Sequence, residues 1–275
     1  MSQPNLGHDL TRRYLDLLEL SQRKPCLAAL RQLVAAHLAR IPFENISKLH
    51  YLAQFGLCGI PDINMYLDGI KRFHFGGTCY SNNFHFYSLL ASLGYEVKLC
   101  GADMSQPDVH MVIITQCEGR EFLIDVGYAA PFVAPLPRDL ASNCVVQLGR
   151  DRYVLKPQDE NGCSRLELYR DGVLKHGYLV KPSPKRLEDF REVIAGSFDP
   201  SATFRHSLLL TKFDIDRAVM IHNLNVIESD ENMCSIRAVA GRPELVMEIE
   251  KRFGIPKSIT EPVLVELDLG GDAWG

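Results

Sequence analysis

The sequence lacks an uninterrupted apolar run of the roughly 18 residues that a membrane-spanning helix requires. Its first residues, MSQPNLGHDLTRRYL, are polar and contain no apolar core of the kind found in signal peptides. From these two absences we expect a soluble cytoplasmic protein that has no membrane partner.

A strong charge bias is also missing. The chain has 30 basic and 34 acidic residues, with neither a basic run nor an alternation of arginine with aromatic residues. Nucleic acids are therefore not expected as partners. The 275 residues show no internal repeat, and their 46% hydrophobic content is enough for one large or two to three small packed units.

The eight cysteines lack the spacing of a metal site, because no CxxC pair occurs and none of them clusters with histidine. We therefore expect no metal. A chain of this length does not need disulfide bonds, so most thiols should be reduced and buried. Cys79 is the exception to examine, because it follows Gly76, Gly77 and Thr78 directly.

Hydrophobic patterning divides the chain into three regions. Residues 1–92 show helical spacing, and the last helix is predicted to begin at or just after Cys79 and to end at Gly94. Residues 93–197 contain short apolar runs typical of antiparallel strands, which usually close into a barrel or a sandwich. Residues 198–275 mix strand-like and helix-like segments. The sequence therefore predicts an α+β protein.

Cys79 is placed where a thiol can become a nucleophile. Two glycines permit a tight turn, and a helix N-terminus then favours the thiolate over the thiol. The glycines would also let a substrate carbonyl approach backbone N–H groups that could hold an oxyanion. The same pattern is compatible with an ordinary turn before a helix, so the nucleophile needs further support.

A base and its partner are available in the second region. His110 lies inside the otherwise apolar run VHMVIITQ, where a buried imidazole requires a hydrogen-bond partner. Asp125 ends FLID, the strand expected to pair with that run in a hairpin. Cysteine, histidine and aspartate would then act as nucleophile, base and orienting group. The alternative is a buried histidine–aspartate pair that only stiffens the barrel.

Four segments, in matching order, resemble those of the arylamine N-acetyltransferases. They are RIPFEN (40–45), GGTC (76–79) with Asn82 and Asn83 after it, HMV (110–112) and DVGY (125–128). In the last quarter only PSATF (200–204) is similar to a family segment. The resemblance implies an N-terminal helical bundle, a central antiparallel β-barrel and a C-terminal α/β lid. It also implies acetyl-CoA as acyl donor and a ping-pong mechanism.

The same resemblance implies roles for individual residues. Cys79 would attack the acetyl thioester, His110 would handle its proton, and Asp125 would hold the imidazolium. The apolar walls for a small aromatic amine or hydrazine would come from Phe43, Tyr128 and Phe132, each of which also fits an ordinary core position. Coenzyme A contacts are expected at Gly127, with Ser201 and Thr203 as weaker candidates.

Three positions depart from the family pattern. Phe75 replaces the family's usual arginine, Ser81 its common glutamate, and Ala129 its common glycine. The missing arginine would normally pair with the glutamate of PFEN. We therefore expect Arg72 or Arg40 to take over as the partner of Glu44, because an unpaired buried carboxylate is costly.

Other functions remain open at the level of the sequence. An amide synthase would use the same fold and triad for a larger, carrier-bound acyl group. A cysteine hydrolase would pass the acyl group to water. A binding module with a decayed site is suggested by Phe75 and Ser81, although Cys79, His110 and Asp125 are all present.

Overall fold

A computed structural model describes residues 5–267 and 269. It is an α+β structure, as predicted from the sequence. The helices are α1 (Gly7–Leu17), α2 (Leu27–Arg40), α3 (Ile46–Phe55), α4 (Ile63–Phe73), α5 (Cys79–Ser92), α6 (Arg191–Gly196), α7 (Thr203–His206), α8 (Arg242–Phe253) and α9 (Lys257–Val265), with a 3₁₀ turn at Leu187–Phe190.

The strands follow the same chain order. They are β1 (Phe43–Glu44), β2 (Glu96–Asp103), β3 (His110–Cys117), β4 (Arg120–Ile124), β5 (Leu136–Pro137), β6 (Cys144–Leu148), β7 (Asp151–Leu155), β8 (Ser164–Arg170), β9 (Val173–Pro184), β10 (Leu209–Phe213), β11 (Arg217–His222), β12 (Asn225–Asp230) and β13 (Cys234–Ala238).

Helix α5 is central to the molecule. It begins at Cys79, as predicted. It ends close to Gly94, whose φ of 89° lies in the left-handed region that glycine tolerates at a helix C-terminus. Its apolar residues Phe86 and Leu89 share a core with Ile113 of β3 and Ile124 of β4. The helix carrying the cysteine is thus packed directly on the sheet.

Strands β2 to β9 form one antiparallel sheet that curls into a nearly closed barrel. Their order is β5-β4-β3-β2-β9-β8-β7-β6. The turn joining β3 to β4 contains only Glu118 and Gly119, with φ values of 53° and 75°. Two left-handed residues in a two-residue loop are typical of hairpin turns whose twist matches the strands. The predicted hairpin is therefore present.

A second antiparallel sheet has the order β1-β10-β11-β12-β13. Its first strand comes from the N-terminal region, because Phe43 pairs with Thr211 and Glu44 with Leu210. Helices α3, α8 and α9 pack beside this sheet in a shared apolar cluster that includes Ile46. The first and third regions are consequently joined by strand pairing, which residue patterning did not predict.

Candidate active site

The glycine pair before Cys79 lies against the segment that carries β1. A Cβ atom on Gly76 would lie 1.9 Å from the backbone oxygen of Pro42, and one on Gly77 would lie 2.7 Å from the Ser81 Cβ. The backbone N–H of Glu44 donates to the Gly77 oxygen at 3.1 Å. Both positions therefore require glycine, and the close contact fixes where α5 starts.

Cys79 is the first residue of α5. Its neighbour Thr78 has an extended backbone, and the Thr78 side chain makes no capping hydrogen bond to the helix. The positive end of the helix dipole therefore favours negative charge at this terminus. The Cys79 side chain lines the large cleft described below and is 9% exposed. These features place the thiol where a ligand in the cleft can reach it.

His110 and Asp125 form a buried pair. The His110 Nε2 and the Asp125 Oδ2 are 2.7 Å apart. Both residues are only 2% exposed. His110 opens β3 and Asp125 follows the last residue of β4, so the hairpin register brings together two residues separated by a turn.

The pair carries opposite charges. Burial by itself would lower the pKa of His110, but the Asp125 carboxylate and a hydrogen bond with the Cys79 side chain raise it to about 10. Burial would raise the pKa of Asp125, yet the charge and hydrogen bond of His110 lower it. At neutral pH the pair therefore holds an imidazolium and a carboxylate, with the Cys79 side chain beside the imidazolium.

Asp125 accepts three further hydrogen bonds. The donors are the Asn83 Nδ2 at 2.8 Å, the Tyr178 hydroxyl at 2.7 Å and the Gly127 backbone N–H at 3.0 Å. A buried carboxylate with this many donors is held in one orientation. The Asp125 Oδ2 is thereby held in position to pair with the His110 Nε2.

Asn83 links the helix of the cysteine to β3 and to the segment that follows β4. Its Nδ2 also donates to the Met111 backbone oxygen at 2.6 Å, and its Oδ1 accepts from the Val126 N–H at 2.9 Å. The sequence analysis noted Asn83 only as part of a motif. Tyr178, which lies on β9, had no sequence signal, because its contact with Asp125 spans 53 residues of chain.

A cleft of about 690 Å³ opens beside Cys79. Four of the predicted binding residues line it, namely Phe43, Tyr128, Gly127 and Thr203. Phe204 adds an aromatic surface that the sequence analysis missed, with its ring 5.6 Å from the ring of Phe43. The Tyr128 hydroxyl lies 2.7 Å from the His176 Nδ1. The cleft thus combines apolar walls with a few polar groups.

Two predicted binding residues lie elsewhere. Phe132 is 1% exposed and belongs to the barrel core, where its ring stacks behind Tyr128 at 6.2 Å. In this structure Phe132 therefore does not line the cleft. Ser201 is exposed outside the lining, and its hydroxyl donates to Asp199 at 2.6 Å. Its hydroxyl is thus engaged within its own loop.

The prediction that Arg72 or Arg40 pairs with Glu44 is wrong. Arg40 pairs instead with Glu19 at 2.6 Å, and the Arg72 guanidinium lies over the ring of Phe73. Glu44 is buried and accepts hydrogen bonds from the backbone N–H groups of Ser47 at 2.8 Å and Gly76 at 3.0 Å. Burial raises the pKa of Glu44, and these hydrogen bonds oppose the increase.

The departures from the family pattern have local explanations. Phe75 is buried in an aromatic cluster, with its ring 5.7 Å from Tyr51 and 5.3 Å from Phe73. Ser81 is buried against Gly77. Ala129 has a φ of 56°, in the left-handed region where glycine is favoured. Position 75, where the resemblance implies an arginine, is thus occupied by a ring that packs against other aromatic side chains.

The described part of the chain contains no group of three or more His, Cys, Asp or Glu side chains arranged to bind a metal ion. Within residues 5–267 and at 269, no helix has the length and apolarity needed to cross a bilayer.

Comparison with known proteins gives consistent matches. The family model described as N-acetyltransferase matches residues 26–260. The arylamine N-acetyltransferase, pineal gland isozyme NAT-3, of Gallus gallus is 26% identical over 200 residues, covering 62% of this chain and 65% of that protein. Proansamycin X synthase of Amycolatopsis mediterranei (strain S699) is 29% identical over 178 residues, covering 61% and 65%. The chain therefore spans slightly less than two thirds of either relative.

A solved structure shows the same fold. The Mycobacterium marinum arylamine N-acetyltransferase in complex with CoA has a TM-score of 0.76 at 23% identity, over 92% of this chain and 98% of that one. The family model covers most of the sequence, and the shared fold extends over nearly its whole length. On these grounds the chain belongs to the arylamine N-acetyltransferase family.

Proposed function

We propose that this protein transfers an acetyl group from acetyl-CoA to a small aromatic amine or hydrazine through a thioester on Cys79. The observation that carries the proposal is the buried His110–Asp125 pair, 2.7 Å apart, beside a cysteine at a helix N-terminus on the wall of a cleft. The family membership of the chain and the CoA complex of a structural neighbour support the choice of donor.

In the first half-reaction Cys79 attacks the thioester carbonyl carbon of acetyl-CoA as a thiolate, its proton being held on the His110 imidazolium. The carbon–sulfur bond to coenzyme A breaks as the new bond to Cys79 forms, and His110 gives its proton to the leaving thiolate. Coenzyme A departs as the thiol. His110 is then neutral, with its orientation kept by Asp125.

In the second half-reaction the amine nitrogen attacks the carbonyl carbon of the acetyl-Cys79 thioester. His110 takes a proton from the nitrogen as the bond to sulfur breaks. Asp125 stabilises the imidazolium that forms, and its other hydrogen bonds hold it in place. The products are the N-acetyl compound and the original thiolate–imidazolium pair.

The cleft suggests how the two substrates share one site. Its volume of about 690 Å³ is in the range of small-molecule pockets. Phe43, Phe204 and Tyr128 offer apolar surface to an aromatic acceptor. We assign pantetheine contacts to Gly127 and Thr203, which lie on the same lining, and give Ser201 a minor part at most.

An amide synthase is the second candidate, favoured by the 29% identity to a relative named Proansamycin X synthase. It would use the same Cys79 chemistry with a larger acyl group. A decayed binding module is the least supported alternative, because Asp125 is still hydrogen-bonded to both His110 and Asn83.

Intact-protein mass spectrometry tests the proposal. Incubation with acetyl-CoA and no acceptor should add the mass of one acetyl group, and an aromatic amine should then remove it. Cys79→Ser should acquire no label. Cys58→Ser removes an exposed cysteine outside the cleft lining and should label like the wild type. Labelling that persists in Cys79→Ser would refute the assignment of the nucleophile.

The same measurement separates the alternatives. An amide synthase would acylate more slowly with acetyl-CoA than with a long-chain carrier-bound thioester. A hydrolase would lose the acetyl label to water as fast without an amine as with one. A decayed module would remain unlabelled with either donor.

A further inference from the structure

Lys48 is a second functional group on the wall of the cleft that the proposed chemistry does not use. It lies on α3 and lines the cleft together with Cys79. Its ammonium donates to the Ser197 backbone oxygen at 2.6 Å and to the Ser197 hydroxyl at 2.8 Å. It also lies 4.2 Å from the centre of the Phe198 ring. Its position is thus held by neutral groups.

Within the described residues, Lys48 has no carboxylate at ion-pair distance. A lysine ammonium has three N–H donors, and Ser197 accounts for two of them. Glu192, an exposed acidic residue on the same lining, makes no ion pair with it. The third donor is therefore left for a group that enters the cleft.

A second cation lies close by. Arg205 is near enough to repel the Lys48 ammonium, and its Nε is buried without a hydrogen-bond partner. Residues 5–267 place no acidic side chain at ion-pair distance from Arg205 either. Arg205 does not itself line the cleft, but two neighbouring cations that make no ion pair with any described residue create a positive potential around Lys48, which favours the binding of an anion there.

The charge state of Lys48 is compatible with that role. Burial has the largest effect on the pKa of Lys48 and lowers it. Arg205 also lowers this pKa, whereas the Cys79 sulfur raises it, and the combined result is a pKa of about 8. The ammonium is therefore still mostly protonated at neutral pH. A desolvated cation gains from pairing with an anion, because its own hydration has already been lost.

We propose that Lys48 binds a carboxylate carried by one of the two substrates. The carboxylate belongs either to the acyl group of the donor, as in a malonyl thioester, or to the acceptor, as in an aminobenzoate. This inference rests on the proposed function, because it concerns the substrates of the Cys79 reaction. A purely structural tether between α3 and Ser197 would not distinguish substrates by their charge.

The two half-reactions separate the two sources of the carboxylate. For the donor, single-turnover acylation of Cys79 by malonyl-CoA is compared with acylation by acetyl-CoA, which lacks the carboxylate. For the acceptor, deacetylation of acetyl-Cys79 by 4-aminobenzoate is compared with deacetylation by p-toluidine, which has a methyl group in its place. Each comparison yields a ratio of rate constants.

Lys48→Met should lower one of these ratios by about tenfold or more, because a partly buried charge contact is lost. The ratio that falls identifies the substrate with the carboxylate. Lys48→Arg should keep most of the wild-type ratio. Lys212→Met is the matched control, since Lys212 is a half-buried lysine on β10 outside the cleft lining, and both ratios should remain at the wild-type value.

Unchanged ratios in Lys48→Met would overturn the inference, even if all rates fell together, because that result indicates a structural or phosphate-binding role. Failure of wild type to acylate Cys79 with either donor would instead contradict the proposed function. Calorimetry with 4-aminobenzoate and p-toluidine then tests the site directly. Where the acceptor ratio is the one that falls in Lys48→Met, equal affinity of the wild type for both compounds would overturn the inference.

Discussion

The backbone of Gly127 lies directly against Cys79. A Cβ atom at position 127 would be 2.6 Å from the Cys79 Cα and 2.8 Å from the Asn83 Nδ2. The turn that follows Asp125 is therefore seated on the first turn of α5. This contact sets the distance between the helix that carries the cysteine and the strand end that carries the aspartate.

Gly127→Ala should disturb this contact. The added methyl group meets backbone atoms that cannot rotate away, so we expect roughly 1–3 kcal/mol of destabilisation. The rate of Cys79 acylation should fall as well, because the turn can move only by shifting Asp125. Gly59→Ala is the control, since nothing lies within 4 Å of the added atom. Similar melting temperatures and rates for the two variants would contradict this interpretation.

Asn83→Ala should destabilise the fold by removing hydrogen bonds between α5 and the hairpin segment. It removes a donor to Asp125 and the acceptor of the Val126 N–H, both buried. Leaving such groups unsatisfied costs about 1–3 kcal/mol each. Asn64→Ala removes an exposed asparagine that bonds Arg13 and should change stability by less than about 0.5 kcal/mol. Urea denaturation of both variants measures the difference, and equal midpoints would refute the linking role of Asn83.

The contribution of the His110–Asp125 pair to the stability of the folded protein should depend on pH. The pKa of His110 rises to about 10 in the folded protein, against about 6.5 in an unfolded chain. The stability gained from protonated His110 is therefore fully present below about pH 6.5 and is lost as the pH rises through about 10. The lowered pKa of Asp125 adds a contribution that is present above its unfolded pKa of about 3.9 and lost in acid.

Thermal melts of wild type and Asp125→Asn at several pH values test this prediction. The wild type should exceed the variant most between about pH 5 and 7, with a smaller advantage near pH 10 and near pH 3. A constant difference across this range would mean that the pair is not ionised in the folded protein.

Glu44→Gln tests whether backbone N–H groups, and not an arginine, are the partners of the Glu44 carboxylate. A glutamine amide can accept from only one of the two N–H groups of Ser47 and Gly76 on its oxygen, so we expect a loss of about 1–3 kcal/mol. Arg40→Met should cost less than about 1 kcal/mol, because Arg40 pairs with the exposed Glu19. An effect of Arg40→Met as large as that of Glu44→Gln would indicate that Arg40 is the partner of Glu44 after all.

The pH dependence of Glu44 gives a second check. Because burial raises its pKa in the folded state, the folded protein holds a proton that the unfolded chain has already released. The stability of wild type relative to Glu44→Gln should therefore decline as the pH rises above the ordinary value for glutamate. A relative stability that increases with pH would reverse the sign and contradict the raised pKa.

Sequence reasoning was most successful where the determinants are local. The start of α5 at Cys79 follows from two glycines that permit a tight turn directly before the helix, and the β3–β4 hairpin follows from two short apolar runs joined by a polar turn. The positions of His110 and Asp125 were predictable for the same reason, since a short hairpin brings its two ends together. Their catalytic roles remain predictions.

The contacts that complete the site were decided by the tertiary structure. Phe132 and Phe204 are both aromatic residues near family-like segments, yet packing places the first in the barrel core and the second in the cleft. The partners of Glu44 proved to be backbone N–H groups, which no residue pattern reveals.

Distance along the chain explains this division. A turn or a helix start depends on a few neighbouring residues, whose steric and hydrogen-bonding preferences can be recognised in the sequence. Tyr178 reaches Asp125 across 53 residues, and Lys48 reaches Ser197 across 149. Such contacts exist only after the barrel, the helices and the second sheet have packed together, because only that packing brings segments so distant in the chain within hydrogen-bond distance.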